Sequence, residues 1–306
     1  MAGHAPGAPD RAVGAAMTAR TVRRILVTIA VTAALVYSGA IVYLMTQETR
    51  LVFAAGRPLA TARPAAPFEQ VEISRNDGQR QFGWVMRQAG DSASAPWVLF
   101  LHGNAATIAS RVNIVRYEQL RSLGLNVFAP EYRGFGGLVG EPTEAGVTLD
   151  AQHGYTYVRD TLGVPSNRMV VYGWSLGSAV AVNVVSAVPA GAVILEGAPA
   201  SLVAIGARQY PWMPIRLVMR NPFESILKIR RIAAPTLFIH SPEDAVIPID
   251  EGRRLYEAAP GPKKFVEVRG GHIDPADVDA ATMFGAVRTF LTDAGLLTER
   301  QPATRH

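Results

Sequence analysis

Met169-Val170-Val171-Tyr172-Gly173-Trp174-Ser175-Leu176-Gly177 is the stretch that decides how this chain folds. Four apolar residues read as a buried strand, and the apolar run beginning at Leu176 reads as a helix. Between them stands a Gly-x-Ser-x-Gly turn. A serine on so sharp a strand-to-helix turn needs glycine two positions before and two after, because side chains there would clash. The first N–H groups of the new helix, at its positive end, then lie beside the serine, where they can stabilise an oxyanion. The motif alone arises by chance; a strand before it and a helix after it give it weight.

Outward from this turn the chain keeps one rhythm. Apolar strands are expected at Trp97–Leu101, Asn126–Pro130, Met169–Tyr172, Ala192–Leu195, Thr236–His240 and Phe265–Val268. Helices are expected between them at 107–123, 143–161, 176–187, 250–259 and 276–294. Strands that are apolar throughout and alternate with helices indicate a mostly parallel sheet covered on both faces, an α/β fold. Phe68–Ser74 and Gln81–Arg87, joined by Asn76-Asp77-Gly78, read as an antiparallel hairpin at one edge. Residues 201–234 break the rhythm and read as a small helical insertion over the carboxyl edge of the sheet. Within it Arg208, Arg216, Arg220, Lys228, Arg230 and Arg231 face only Glu224. That is either a lid leaning on anionic lipid or the solvated side of helices packed on the sheet.

The amino-terminal part is of another kind. Ile25–Met45 carries no charge over 21 residues, long enough as a helix to cross about 30 Å of hydrocarbon. Tyr37 and Tyr43 suit a membrane interface, and Arg20, Arg23 and Arg24 abut the amino end. A cleavable signal peptide is the alternative, with Ser38-Gly39-Ala40 at suitable spacing. The apolar run continues past that site and the leader is long, which favours an uncleaved anchor. The arginine balance favours the amino terminus in the cytoplasm and the bulk of the chain outside, on the periplasmic side of a bacterium. The organisation expected is a basic tail at 1–24, a span at 25–45, a linker at 46–66 with Leu51-Val52-Phe53 as a local anchor, a globular domain at 67–296 and a tail at 297–306.

The chain has 306 residues, a formal charge of +5 and no cysteine. The absence of cysteine excludes disulfides, thiolate metal sites and a cysteine nucleophile. Residues 1–66 hold seven arginines against Asp10 and Glu48, so the rest of the chain is neutral, with 23 basic and 23 acidic residues. A nucleic-acid-binding module would carry its basic excess on the folded part, so nucleic acid is not an expected partner. The 27 arginines against three lysines suggest a genome rich in G and C, as in many bacteria.

A serine needs a base, and the base an orienting acid. His272, in Arg269-Gly270-Gly271-His272, falls after the last strand, on the edge where open α/β sheets bind ligands. Asp244 follows the penultimate strand and supplies the order Ser, Asp, His; Glu243 beside it is the rival. One oxyanion donor is expected from the first N–H groups of the helix that follows Ser175. A second is expected from the loop His102-Gly103-Asn104-Ala105, from Asn104 or Ala105. His102 and His240 end strands and read as structural. Neither pairs with a metal-ligand pattern, so no metal is expected, and acyl transfer to water by such a set needs no cofactor.

With these residues in view, the sequence resembles the α/β-hydrolase superfamily over about residues 68–296. The resemblance rests on Leu101-His102-Gly103-Asn104-Ala105, Glu131-Tyr132-Arg133-Gly134-Phe135-Gly136, Gly140-Glu141-Pro142-Thr143, Gly173–Gly177, Asp244 with Val246 and Pro248, and Gly271-His272. It is similar to the membrane-tethered branch of serine hydrolases related to depalmitoylating thioesterases. That resemblance implies Ser175 as nucleophile, Asp244 as acid and His272 as base, with Asn104 or Ala105 and Leu176 as oxyanion donors. The implied activity is hydrolysis of an acyl ester or thioester, with membrane lipid contacted through the amino-terminal helix. A peptidase on the same fold and a non-catalytic, membrane-tethered binding protein are the alternatives. Glu131 stands where aspartate is usual in this branch, and Leu195-Glu196-Gly197-Ala198-Pro199 lacks the usual aromatic residue.

Overall fold

The computed structural model describes residues 18–54, 60–74 and 78–298, together with Gly3. The chain forms two compact units, Met1–Thr46 and Gln47–His306. The first consists, among its described residues, of most of helix α1, which runs from Ala19 to Phe53. At 1.5 Å per residue its 35 residues exceed the thickness of a hydrocarbon core. It is the one described helix long and apolar enough to cross a membrane. The apolar run accounts for its middle. Its end corrects the expected linker: the helix continues through Gln47–Phe53, where Glu48 and Phe53 are buried. Tertiary partners described below satisfy Glu48, so a charged stretch that reads as a linker stays helical.

The second unit is built on one eight-stranded sheet. Its strands are β1 (Phe68–Ile73), β2 (Gln81–Met86), β3 (Trp97–Leu101), β4 (Asn126–Pro130), β5 (Met169–Trp174), β6 (Ala192–Glu196), β7 (Thr236–His240) and β8 (Lys263–Glu267). Their spatial order is β1-β2-β4-β3-β5-β6-β7-β8. β1 and β2 pair antiparallel, as do β2 and β4, while β4-β3-β5-β6-β7-β8 run parallel. The expected hairpin strands pair accordingly; Asn76 and Asp77 of its turn lie outside the described residues.

Helices α2 (Arg111–Ser122), α3 (Glu144–Thr156), α4 (Leu176–Val185), α5 (Leu202–Gln209), α6 (Ile215–Val218), α7 (Ser225–Lys228), α8 (Ile249–Ala258), α9 (Pro275–Val278) and α10 (Ala280–Asp293) complete the unit. Alternate residues of each central strand point to opposite faces. Leu99, Leu101, Val171, Val193, Leu195 and Phe238 therefore join one apolar cluster with residues of α3, α4 and α8. Val98, Phe100, Val170, Tyr172, Ile194 and Ile239 join another with residues of α2 and α10. This double burial is why the strands are apolar at every position. All ten residues of α4 are buried.

Several expected boundaries shift for local reasons. Thr143 lies outside α3 and caps it, its hydroxyl accepting the Gly146 N–H at 3.0 Å. The α3 pattern passes into a π turn over Tyr157–Thr161. The single helix expected at 276–294 is two, broken at Asp279. Its carboxylate accepts the Thr282 hydroxyl at 2.8 Å and the Arg269 N–H at 3.1 Å, bonds that compete with a continuous helix. The insertion at 201–234 holds α5, α6 and α7. Three of its cations are paired within the domain: Arg208 with Glu251 at 3.6 Å, Arg220 with Glu48 at 3.2 Å, and Lys228 with Glu144 at 2.8 Å. These pairs support packing on the domain for that part of the basic stretch.

Candidate active site

The site forms where the parallel strands end. β3 and β5 run side by side with Leu101 opposite Gly173, and β5 and β6 with Trp174 opposite Glu196. One residue past β5, Ser175 takes φ 55° and ψ −123°, outside the ordinary regions for a side-chain-bearing residue. Such a conformation persists only where its surroundings over-determine it. Here the Ser175 N–H donates to the Glu196 carbonyl at 2.8 Å. A Cβ at Gly177 would overlap the Leu101 carbonyl, and one at Gly173 would overlap the Gly177 backbone. The two glycines thus let the turn close against β3 and against its own helix.

Ser175, His272 and Asp244, which come from three separate loops, meet in a chain of hydrogen bonds. Ser175 Oγ lies 2.7 Å from His272 Nε2, and His272 Nδ1 lies 2.6 Å from Asp244 Oδ2. The other Asp244 oxygen accepts the Val246 and Ile247 N–H groups, each at 2.8 Å. Burial alone would raise the Asp244 pKa. The His272 hydrogen bond and charge, with the two backbone donors, outweigh it and hold the carboxyl below the ordinary aspartate range. Glu243 is exposed and takes no part. The Trp174 ring stacks near the imidazole, with centroids 6.1 Å apart at 30°.

Among the expected oxyanion donors, Leu176 is the first residue of α4, so its N–H lacks an intrahelical acceptor. In the loop after β3 the two candidates differ. The Ala105 N–H donates to the Phe53 carbonyl at 3.1 Å, whereas the Asn104 N–H has no described acceptor. Ala105 itself has φ 54°.

The other strand-end histidines are tied into the scaffold. His102 Nδ1 lies 2.8 Å from the Gly103 carbonyl and its Nε2 2.8 Å from Glu131. His240 Nε2 lies 2.8 Å from the Ile247 carbonyl, and burial pushes its pKa down. Among the described residues no three His, Asp or Glu side chains are grouped to hold a metal ion.

One element of the site has no signal in the linear sequence. Arg116 of α2 reaches Glu196 at the end of β6, with Nε 2.9 Å from Oε2 and Nη2 bonded to Oε1. Tyr172 donates to the same carboxylate at 2.6 Å, and Arg116 lies over the Trp174 ring at 4.5 Å. Burial disfavours the charged Arg116, but Glu196 more than offsets it and raises the pKa. Arg116 stands between Val115 and Tyr117 in an ordinary amphipathic helix, so its role appears only when β6 is placed beside α2.

A sequence profile of the alpha/beta hydrolase family matches residues 98–284. An uncharacterized protein of Mycobacterium tuberculosis is 36% identical over 267 residues, which are 86% of this chain and 94% of that protein. The lysophosphatidylserine lipase ABHD12 of Danio rerio is 32% identical over 203 residues. That match covers 58% of this chain and 52% of the lipase, so this chain spans about half its length. Among solved structures, an esterase of Pyrococcus furiosus superposes with a TM-score of 0.63 at 20% identity, covering 78% of this chain and 99% of the esterase. That similarity bears on the fold.

Proposed function

The chain belongs to the alpha/beta hydrolase family, and we propose that it is a membrane-anchored serine hydrolase that cleaves an ester or thioester through an acyl-enzyme. The observation that carries the proposal is the continuous hydrogen-bond chain from Ser175 through His272 to Asp244 on a strained strand-to-helix turn.

His272 removes the Ser175 proton through Nε2 as Oγ attacks the acyl carbonyl. Asp244, accepting from Nδ1, holds the tautomer that leaves Nε2 free and stabilises the imidazolium that forms. The carbonyl oxygen becomes an oxyanion facing the N–H groups of Leu176 and of Asn104 or Ala105. Each such donor is worth about 2.7–4 kcal/mol. His272 then returns the proton to the leaving alcohol or thiol, the acyl-enzyme remains, and water attacks it by the same route in reverse.

The domain organisation proposed with this activity is a basic tail, a span within α1 and a catalytic domain from about residue 67. The orientation keeps the amino terminus in the cytoplasm and the catalytic domain on the periplasmic side of a bacterial membrane. The mycobacterial relative and the arginine-rich composition support the bacterial part. A lipid acyl ester is the substrate class that best fits a hydrolase tethered beside a bilayer, and relatives named as lysophosphatidylserine lipases support it.

Covalent labelling by a fluorophosphonate tests the proposal. The wild type is expected to label and Ser175→Ala not to. An unlabelled wild type overturns the serine-hydrolase reading and leaves the non-catalytic binding protein. A panel of long-chain esters, thioesters and peptide amides then separates esterase, thioesterase and peptidase.

A further inference from the structure

The carboxyl end of α1 is joined to the loop that follows β3. Phe53 is the last residue of that helix, so its carbonyl has no helical N–H to accept. It accepts the Ala105 N–H instead. The carbonyl before it, on Val52, accepts Asn104 Nδ2 at 3.2 Å. The Phe53 ring is fully buried and meets Phe223 edge-on, with centroids 6.1 Å apart.

One turn earlier a second contact holds the helix end in place. Glu48 is buried, and one of its oxygens accepts the N–H groups of Arg220 and Asn221 at 2.8 Å each and Asn221 Nδ2 at 3.0 Å. The other oxygen accepts Arg220 Nε at 3.2 Å. A carboxylate that gathers four donors away from water makes a strong clamp, because charge-assisted bonds exceed neutral ones.

We infer that Glu48, Val52 and Phe53 are positioning residues for acyl transfer: they hold Asn104 and Ala105 so that the Asn104 N–H, and not that of Ala105, joins Leu176 at the oxyanion. The inference rests on the serine-hydrolase reading above. The Ala105 N–H is consumed by Phe53, which leaves Asn104 as the backbone donor of the loop. Ala105 has a positive φ that alanine rarely adopts, and its bond to Phe53 helps retain it. Asn104 is held at its side chain by Val52, and none of the described hydrogen bonds engages its backbone N–H. None of the three positioning residues need touch substrate.

Oxyanion donors act on the transition state far more than on bound substrate, so loosening this loop lowers kcat and leaves KM nearly unchanged. The test uses the full-length protein in detergent, with p-nitrophenyl butyrate as substrate and a fluorophosphonate as covalent probe. Glu48→Ala and Phe53→Ala are expected to lower kcat by about 10–100-fold, with a parallel fall in labelling rate. Phe53→Leu restores most of the loss, and Leu51→Ala, at an exposed position in the same turn, behaves as wild type. The pH profile of kcat keeps its shape, since the triad is untouched. Folded Glu48→Ala and Phe53→Ala proteins with wild-type kcat overturn the inference. Should both variants fail to fold, amide hydrogen exchange in the wild type decides: a protected Ala105 N–H supports the contact and a rapidly exchanging one overturns it. Absence of labelling in the wild type marks failure of the serine-hydrolase reading itself, whereas labelled wild type with unaffected variants marks failure of this inference alone.

Discussion

Arg116 and Glu196 form an ion pair from which solvent is almost entirely excluded, with the guanidinium Nε 2.9 Å from the carboxylate. The pair spans the site. The Glu196 backbone carbonyl receives the Ser175 N–H at 2.8 Å, and Arg116 Nη2 donates to the Ile273 carbonyl, next to His272, at 3.3 Å. Removing one partner leaves the other as an uncompensated buried charge. Arg116→Ala and Glu196→Ala are each expected to cost about 3–5 kcal/mol, read as a fall in the thermal unfolding midpoint. A loss below about 1 kcal/mol for either would contradict the buried pairing.

The glycines of the turn make a sharper contrast. Gly177→Ala directs a methyl group into the Leu101 carbonyl, which is held in the sheet and cannot yield. It is expected to abolish soluble expression or lower the unfolding midpoint steeply. Gly285→Ala, in the exposed part of α10 with nothing within 4 Å of the new atom, is expected to stabilise by about 0.5–1 kcal/mol through helix propensity. Thermal unfolding of the two variants beside wild type checks both signs.

Stability is expected to fall in two steps on acidification. His240 has its pKa depressed by burial, so the unfolded chain binds a proton more readily than the native one. Its contribution to stability is complete above the ordinary imidazole value of about 6.5 and is lost as pH falls toward the native value. Asp244, also depressed, contributes fully above the ordinary aspartate value of about 3.9 and loses that contribution only below it. His240→Gln is expected to flatten the stability curve just below pH 6.5, and Asp244→Asn to flatten it below about 4. Unfolding midpoints measured across pH 3–8 distinguish the two (a window chosen to bracket both ordinary values).

Glu131 is expected to tolerate shortening better than removal. Its carboxylate meets His102 Nε2 at 2.8 Å, the Ile108 N–H at 3.1 Å and the Tyr132 N–H at 3.2 Å, all buried. Glu131→Ala strands these groups at about 1–3 kcal/mol for each buried donor left unpaired. Glu131→Asp keeps the charge and is expected to lose less. Equal midpoints for the two variants would show that the carboxylate does not hold this loop.

Much of this architecture was legible because it depends on local pattern. Apolar runs marked the strands, and Gly173 with Gly177 marked the turn at Ser175. The order of Asp244 and His272 along the chain made them candidates before any geometry. The end of α1 was not legible, because residues 46–66, rich in Ala, Pro and Arg, read as a linker. Glu48 is buried through Arg220 and Asn221, more than 170 residues away. No local propensity encodes a partner at that distance. Asp279 broke a helix more locally, through bonds to the Arg269 backbone and the Thr282 hydroxyl that helical periodicity does not register.

The amino-acid sequence by itself determined the α/β class, the long apolar helix and the residues able to form a Ser–His–Asp set, since periodicity and motif order are properties of neighbours. Only the tertiary structure decided that Asp244 rather than Glu243 reaches His272, that Arg116 and Glu196 lie together, and that Phe53 takes the Ala105 N–H. Each of those is a hydrogen bond with an acceptance distance near 3 Å between segments far apart in the chain. A shift of one residue in a loop would remove it, and spacing along the sequence does not resolve such a shift.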